Sequence, residues 1–460
     1  MKSLYILILI INIFLTGNLF SQKEQPPQGS QPKDFVLPAV QKSALDNGMQ
    51  VILVPYGDLP KALVRVVLQV GNLNETAQET WLADLTADLL KEGTSSLDAS
   101  AIAQRAASMG GAINVSTGAD LSWVGGEVLS EFTPELIELL ADILQNPVFP
   151  AKEFDRLKKD YVRNLSMAKA EPEQLAQEKF LQILYPDHPY GRMFPSEEML
   201  TGYNLEQVKD FYNKNFGAAR ASIYVVGRFN QPRVEKAIQA AFSSWPKGSE
   251  PFRQVPSPVS QRKIYLVDRP QAPQSTIYIG LPVIDPTHPD YFPLQVTNMI
   301  LGGYFSSRIT SNIREDKGYT YSPNSSITNT YRSAYWVQVA DVGTEVTGAS
   351  IKEILYEIDR LQQEAVPGEE LKSAQNYMAG IFVLRNSARA GIVNQLSFID
   401  FHGLPADYLT SYVKNVHAVT PEDIQRMANT YLKDQEMAIV IVGDKQKVPA
   451  QVKSYAEIIY

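Results

Sequence analysis

The feature that most constrains this chain is that its second half repeats its first. The segment that begins Asn204-Leu-Glu-Gln-Val and ends Ser222-Ile-Tyr-Val-Val-Gly227 lies without a gap on Thr420-Pro-Glu-Asp-Ile through Ala438-Ile-Val-Ile-Val-Gly443, 216 residues further on. Each copy reads as a capped helix with an acid in its first turn, then a β-rich strand ending in Val-Gly. Leu89-Leu90 and Ser95-Ser96 likewise match Ile300-Leu301 and Ser306-Ser307 at an offset of 211. Matches in the same order at nearly the same offset imply duplication. The expected fold is α+β: two duplicated domains, each a mainly antiparallel twisted sheet with helices packed on one face.

Composition sets the address and the boundaries. After Lys2, residues 4–15 are almost uninterruptedly apolar, and Thr16-Gly17-Asn18 ends the run. A span needs about 20 apolar residues, so residues 1–21 read as a cleaved signal peptide and the mature chain has no expected transmembrane segment. Residues 22–37 are Pro/Gln-rich and read as a flexible linker. The N-terminal domain is then expected over 38–245, a Pro/Ser-rich connector over 246–262, and the C-terminal domain over 263–460. The chain has no cysteine, which excludes disulfides and lipid attachment through a thiol. Export without disulfides suggests the periplasm or cell envelope of a bacterium. A net charge of −8 with no basic block argues against nucleic acid or an anionic membrane as partner.

Two stretches draw attention for chemistry. The helical pattern over 79–91 carries Asp84 and Asp88, which at i and i+4 share a face. Together with Asn164 their oxygens would suit Mg²⁺ or Ca²⁺; the plainer reading is polar residues on a helix, repelling one another slightly. The four histidines, His188, His288, His402 and His417, lie outside helical reach of each other and read as surface or loop residues. The second stretch is Leu301-Gly-Gly-Tyr-Phe-Ser306-Ser-Arg-Ile-Thr-Ser-Asn-Ile-Arg314-Glu-Asp-Lys-Gly318-Tyr-Thr-Tyr321-Ser322. Ser306 or Ser307 caps a helix that ends at Gly318, with Arg314 in its last turn and Tyr321 on a strand over 319–326. A tight turn between them brings guanidinium and phenol to one side. Taken alone, an Arg at a helix C-terminus suits the dipole and a Tyr suits a strand. No phosphate-binding loop and no Ser-His-Asp arrangement is present.

Residues 79–96, with Gly110-Gly-Ala-Ile-Asn-Val-Ser-Thr-Gly118, resemble the zinc-site region of the pitrilysin/insulinase peptidases (inverzincins), in which the helix reads H-x-x-E-H. On that pattern Asp84 and Asp88 stand at the histidine positions and Ala87 at the general-base glutamate. The family's further zinc-binding glutamate falls on Asn164, 76 residues beyond Asp88, and a secondary acidic position on Leu157. Every member of the zinc and base set is replaced, whereas the stretch over 301–322 closely resembles the family's second-domain signature. The resemblance runs from about residue 38 to 450 and implies half of a clamshell chamber. It further implies that Arg314 and Tyr321 bind substrate carbonyls and the oxyanion in trans, in a catalytically incomplete subunit of a heterodimeric zinc endopeptidase. On this reading the chain binds no cofactor itself, zinc comes from a partner subunit of the same family, and unstructured peptides are the substrates. The alternative is a non-enzymatic peptide-binding or scaffold protein with the same fold.

Overall fold

The computed structural model describes residues 36–460. The leader, and all but the last two residues of the linker read from the sequence, lie outside the described residues. The first half contributes β1 (Gln41–Ala44), β2 (Gln50–Pro55), β3 (Lys61–Leu68), β4 (Asn114–Thr117), β5 (Ser122–Leu129) and β6 (Ala221–Gly227). The second half contributes β7 (Ile264–Asp268), β8 (Gln274–Val283), β9 (Asn324–Thr330), β10 (Ser333–Gly343), β11 (Ala438–Gly443) and β12 (Ile458–Ile459). Each set forms one six-stranded sheet, in the orders β1-β2-β6-β3-β5-β4 and β12-β7-β11-β8-β10-β9. The orders correspond over five strands, β2 to β4 and β7 to β9, and differ at the far edge, where β1 pairs antiparallel with β2 but β12 parallel with β7. In both, the pairing is antiparallel across the four strands that end at β4 or β9, and turns parallel where β2 meets β6 and β7 meets β11.

The helices that position the site are α1 (Leu82–Leu90), α2 (Ala151–Ala170), α3 (Pro172–Leu184), α4 (Leu205–Asn215), α5 (Tyr291–Asn298), α6 (Gly368–Asn386), α7 (Arg389–His402) and α8 (Pro421–Tyr431). The duplicated segment is α4 followed by β6, and α8 followed by β11. Both helices open with the same device, a reciprocal cap in which Asn204 bonds Gln207 N–H and Thr420 bonds Asp423 N–H, the third residue returning the bond each time.

The strand sequences explain what covers the sheets. β2, β3, β6 and β11 carry apolar residues at consecutive positions, the pattern of strands buried on both faces. On one face of the first sheet, Val51, Leu53, Val64, Val66, Ile223 and Val225 join the core made with α1, α2 and α4. On the other, Ile52, Val54, Leu63, Val67, Tyr224 and Val226 pack against Phe382, Ile392, Val393, Leu396 and Ile399 of α6 and α7, from the second half. The second sheet is treated reciprocally: Tyr278, Tyr335, Val440 and Val442 receive Ala176, Phe180 and Leu184 of α3, from the first half. Each sheet thus has helices of its own on one face and is covered on the other by its twin, with α6 and α7 lent to the first sheet and α3 to the second, all within one compact unit.

Polar contacts pin the exchanged helices. Asp400 on α7 accepts from Lys42 at 2.5 Å and from Tyr224 Oη at 2.9 Å. Arg65 in β3 donates to Asn394 at 2.7 Å. On the α3 side, Tyr185 Oη lies 3.0 Å from Ser333 Oγ, and Tyr331 N–H donates to Tyr190 Oη at 3.1 Å. Gly280 in β8 makes room for α3: a Cβ there would stand 2.7 Å from Phe180 Cζ.

Candidate functional site

The segment 301–322 folds into an unusual backbone. Helix α5 runs on into a π-helical turn, Met299–Gly303, and a short helix, Arg308–Thr310, runs into a second, Ser311–Asp316. Such turns are rare and concentrate at functional sites. Ser307 is the cap residue, although its hydroxyl donates to Thr310 Oγ1 at 3.0 Å instead of accepting a backbone N–H. Gly318 ends the helix at φ +63°, a conformation that favours glycine, and its N–H donates to Arg314 O at 3.2 Å. The signature's arginine, Arg308, is buried and bonds both carboxylate oxygens of Glu370 on α6 at 2.8 Å, tying the whole turn to that helix.

This frame holds Arg314 between two aromatic rings. Its guanidinium carbon lies 4.2 Å from the Phe305 ring centroid and 5.0 Å from that of Tyr321, and Glu315 sits 3.4 Å from its Nε. The rings are outward-facing: Phe305 is 63% and Tyr321 81% exposed. Tyr321 is not on a strand, contrary to the sequence reading. Pro323 has no N–H to give a ladder and restricts Ser322, so β9 begins only at Asn324. The phenol hydroxyl has no partner among the described residues. A guanidinium stacked in place and a free phenol beside it together offer donors to a carbonyl oxygen or to an oxyanion. Phe305 was visible in the signature but not singled out; an aromatic nine residues before Arg314 carries no spacing rule that marks it.

In the first half, α1 starts from Trp81 in the left-handed region at φ 70°, with no cap from its own side chain. Glu75 caps instead, its carboxylate accepting Ala83 N–H at 2.8 Å. Asn72 Nδ2 bridges two acids, donating to Glu75 at 3.2 Å and to Asp84 at 2.7 Å. Asp88 accepts from Tyr161 Oη at 2.8 Å and from Lys91 at 3.1 Å. Ala87 and Leu157 are buried, and Asn164 on α2 is exposed without a hydrogen bond to any described residue. The fold therefore joins Asp84 and Asp88 to Glu75, Asn72 and Tyr161, and leaves Asn164 out. Tyr161, one turn before Asn164, supplies the contact from α2.

These residues do not fit zinc. No imidazole is among them, and each aspartate is already engaged by a neutral or cationic donor. Among the described residues no three His, Asp or Glu are placed to hold a metal ion. Two histidines also depart from the surface reading. His188 is buried, with Nδ1 accepting Tyr190 N–H and Nε2 facing Gln254 O. His402 is buried in the last turn of α7, where burial pushes its pKa down to about 4.

Burial, and to a lesser degree the charge of Asp88, hold Asp84 up at about pH 6, against the opposing hydrogen bond from Asn72. Glu75 is raised well above the usual carboxylate range by burial and by Asp84. A carboxyl whose folded pKa exceeds its unfolded value is fully tolerated below about pH 4. It then costs stability as pH rises to 6, by up to about 3 kcal/mol for Asp84. Asp84→Asn keeps an acceptor for Asn72, so it should raise stability at pH 7 by about 1–3 kcal/mol and flatten the slope between pH 4 and 6. Urea melts at several pH values would expose an error here, in the form of an unaltered slope.

Two family models match the chain: "Insulinase (Peptidase family M16)" over residues 52–195 and "Peptidase M16 inactive domain" over 202–378. The chain is 23% identical over 398 residues to a Helicobacter pylori protein named non-peptidase homolog YmxG, covering 85% of this chain and 90% of that one. It is 24% identical over 339 residues to an uncharacterized zinc protease of Rickettsia felis, covering 73% and 81%. Its fold is similar to the crystal structure of a peptidase M16 inactive domain from Pseudomonas fluorescens, with a TM-score of 0.81 and 25% identity over 88% of this chain and 98% of that one. With family models matching both halves and a relative named as a non-peptidase homolog, the chain belongs to the insulinase (M16) peptidase family as one of its inactive members.

Proposed function

We propose that this chain is the non-zinc subunit of a heterodimeric zinc endopeptidase of the cell envelope, acting on unstructured peptides. The observation that carries the proposal is the contrast between the two halves. The zinc-site positions have been refilled by a self-satisfied acidic cluster, while Arg314 remains stacked and Tyr321 remains exposed with its hydroxyl free. Keeping two exposed aromatic rings and a guanidinium on a π-helical frame has no evident value for stability, and it has an evident use in holding a peptide backbone. The partner would bring the metal and the general base. Arg314 and Tyr321 would grip the substrate carbonyl next to the scissile bond and hydrogen-bond the oxyanion as it forms. Among the described residues no helix is long and apolar enough to cross a membrane.

The test is peptidase activity on a quenched, unstructured peptide for this chain alone, for a zinc-bearing relative from the same cell alone, and for the two mixed. Cleavage confined to the mixture and abolished by a chelator is the expected result. Cleavage by the relative alone, unaffected by this chain, would reject the complementing role. Peptide binding without cleavage in any arrangement would establish the second reading, a binding or scaffold protein, which the name of the Helicobacter relative favours.

A further inference from the structure

Beside the Arg314–Tyr321 cluster, α5, α6, α7 and β9 enclose a cavity of about 370 Å³. That lies within the roughly 300–1,000 Å³ range of small-ligand sites. Part of its wall is aromatic and aliphatic: Phe398, Tyr408, Tyr412, Ile327 and Ile381, all half-buried, line it. Polar groups share the wall: Gln295, Asn329, Asn386, Gln395 and Arg385 line it as well. Arg385, in the last turn of α6, has no ion-pair partner among the described residues, and the Gln395 side-chain amide likewise has no hydrogen bond. No aspartate or glutamate lines the cavity, so Arg385 is its only charge apart from any ligand.

The backbone links the cavity wall to the peptide-contact cluster. Gly303 lies in its wall, and Phe305, two residues on and thus at most about 7 Å along the backbone, stacks beneath Arg314. Tyr304, between them, packs against Tyr377 of the cavity lining, the rings tilted by 35° with centroids 5.2 Å apart. A chain held at Arg314 and Tyr321 therefore reaches the cavity within a few residues.

We propose that this cavity is a subsite for the C-terminal residue of a bound peptide when that residue is aromatic. The ring lies against Phe398, Tyr408 and Tyr412, the terminal carboxylate pairs with Arg385, and the Gln395 amide bonds the last peptide group. A basic side chain would meet Arg385 with no carboxylate to offset it. A neutral aliphatic one would leave the guanidinium and the amide unused. A single residue carrying both a ring and a carboxylate satisfies the wall and the charge at once. The proposal rests on the reading of Arg314 and Tyr321 as peptide contacts.

The experiment is binding of one short unstructured peptide in three forms to the full chain: ending in phenylalanine carboxylate, ending in phenylalanine amide, and ending in alanine carboxylate. Amidation and the change to alanine should each weaken binding about tenfold, the scale of one charge-assisted contact or one buried ring. In Arg385→Gln, whose side chain is exposed and whose loss spares the fold, the free-acid peptide should fall to the affinity of the amide, and the amide should be unchanged. Equal binding of all three forms, or full discrimination in Arg385→Gln, would overturn the subsite while leaving peptide binding at Arg314 and Tyr321 in place. Failure of the wild-type chain to bind any of the three would overturn both.

Discussion

Tyr321→Phe is expected to lower kcat of the proposed two-chain enzyme by about 10²–10³ and to leave assembly and folding unchanged. The magnitude is that of one lost oxyanion donor. The structural indifference follows from the geometry: the ring is 81% exposed, and its hydroxyl bonds no described residue, so removing it strands nothing. The ring itself stays, and with it the contact to Arg314 at 5.0 Å. The expected pattern is a fall in kcat with KM little altered, because an oxyanion donor acts on the transition state and not on the bound substrate. Steady-state kinetics of the mixed subunits, with the dissociation constant of the complex measured in parallel, decides the matter. Turnover at the wild-type rate would remove Tyr321 from the chemistry and leave it a surface aromatic.

Phe180→Ala destabilises the chain by about 3–5 kcal/mol, the usual cost of deleting a fully buried phenylalanine. Phe180 is 0% exposed and is the centre of the contact that α3 makes on the second sheet, with Tyr335 at 5.6 Å and Tyr278 at 5.9 Å between centroids. Because α3 belongs to the first half and the strands to the second, the loss loosens the union of halves as well as the local core. Urea denaturation followed by tryptophan fluorescence should show the lowered midpoint. A loss below about 1 kcal/mol would mean that the exchanged helix contributes little.

The duplication was legible because it is written twice. The caps at Asn204 and Thr420 and the strands that end at Gly227 and Gly443 are local signals, and their repetition carried the expectation of two similar sheets, though not their strand order. The helix exchange was not legible. Consecutive apolar residues in β2 and β11 say that both faces are covered, but nothing in a strand names the helix that covers it, and α7 is far from β2 in sequence. At the site, Arg314 and Tyr321 come together as their spacing implied. The strand assigned to Tyr321 failed because Pro323 overrides the β-propensity of its neighbours. Asp84 and Asp88 were found by position, whereas Glu75, Asn72 and Tyr161 were missed because hydrogen bonds from a loop and from a helix 73 residues on have no periodicity to read.

The reciprocal loan of helices also dictates an order of events during synthesis. The first sheet has all its strands once residue 227 has been made, yet the helices that shield its second face begin only at residue 368. For that interval Ile52, Val54, Tyr224 and Val226 lack the cover that the second half provides, and α3 waits likewise for a sheet whose strands follow it in the chain. A chaperone that binds extended apolar segments should therefore engage chains stalled between these points far more strongly than the finished protein.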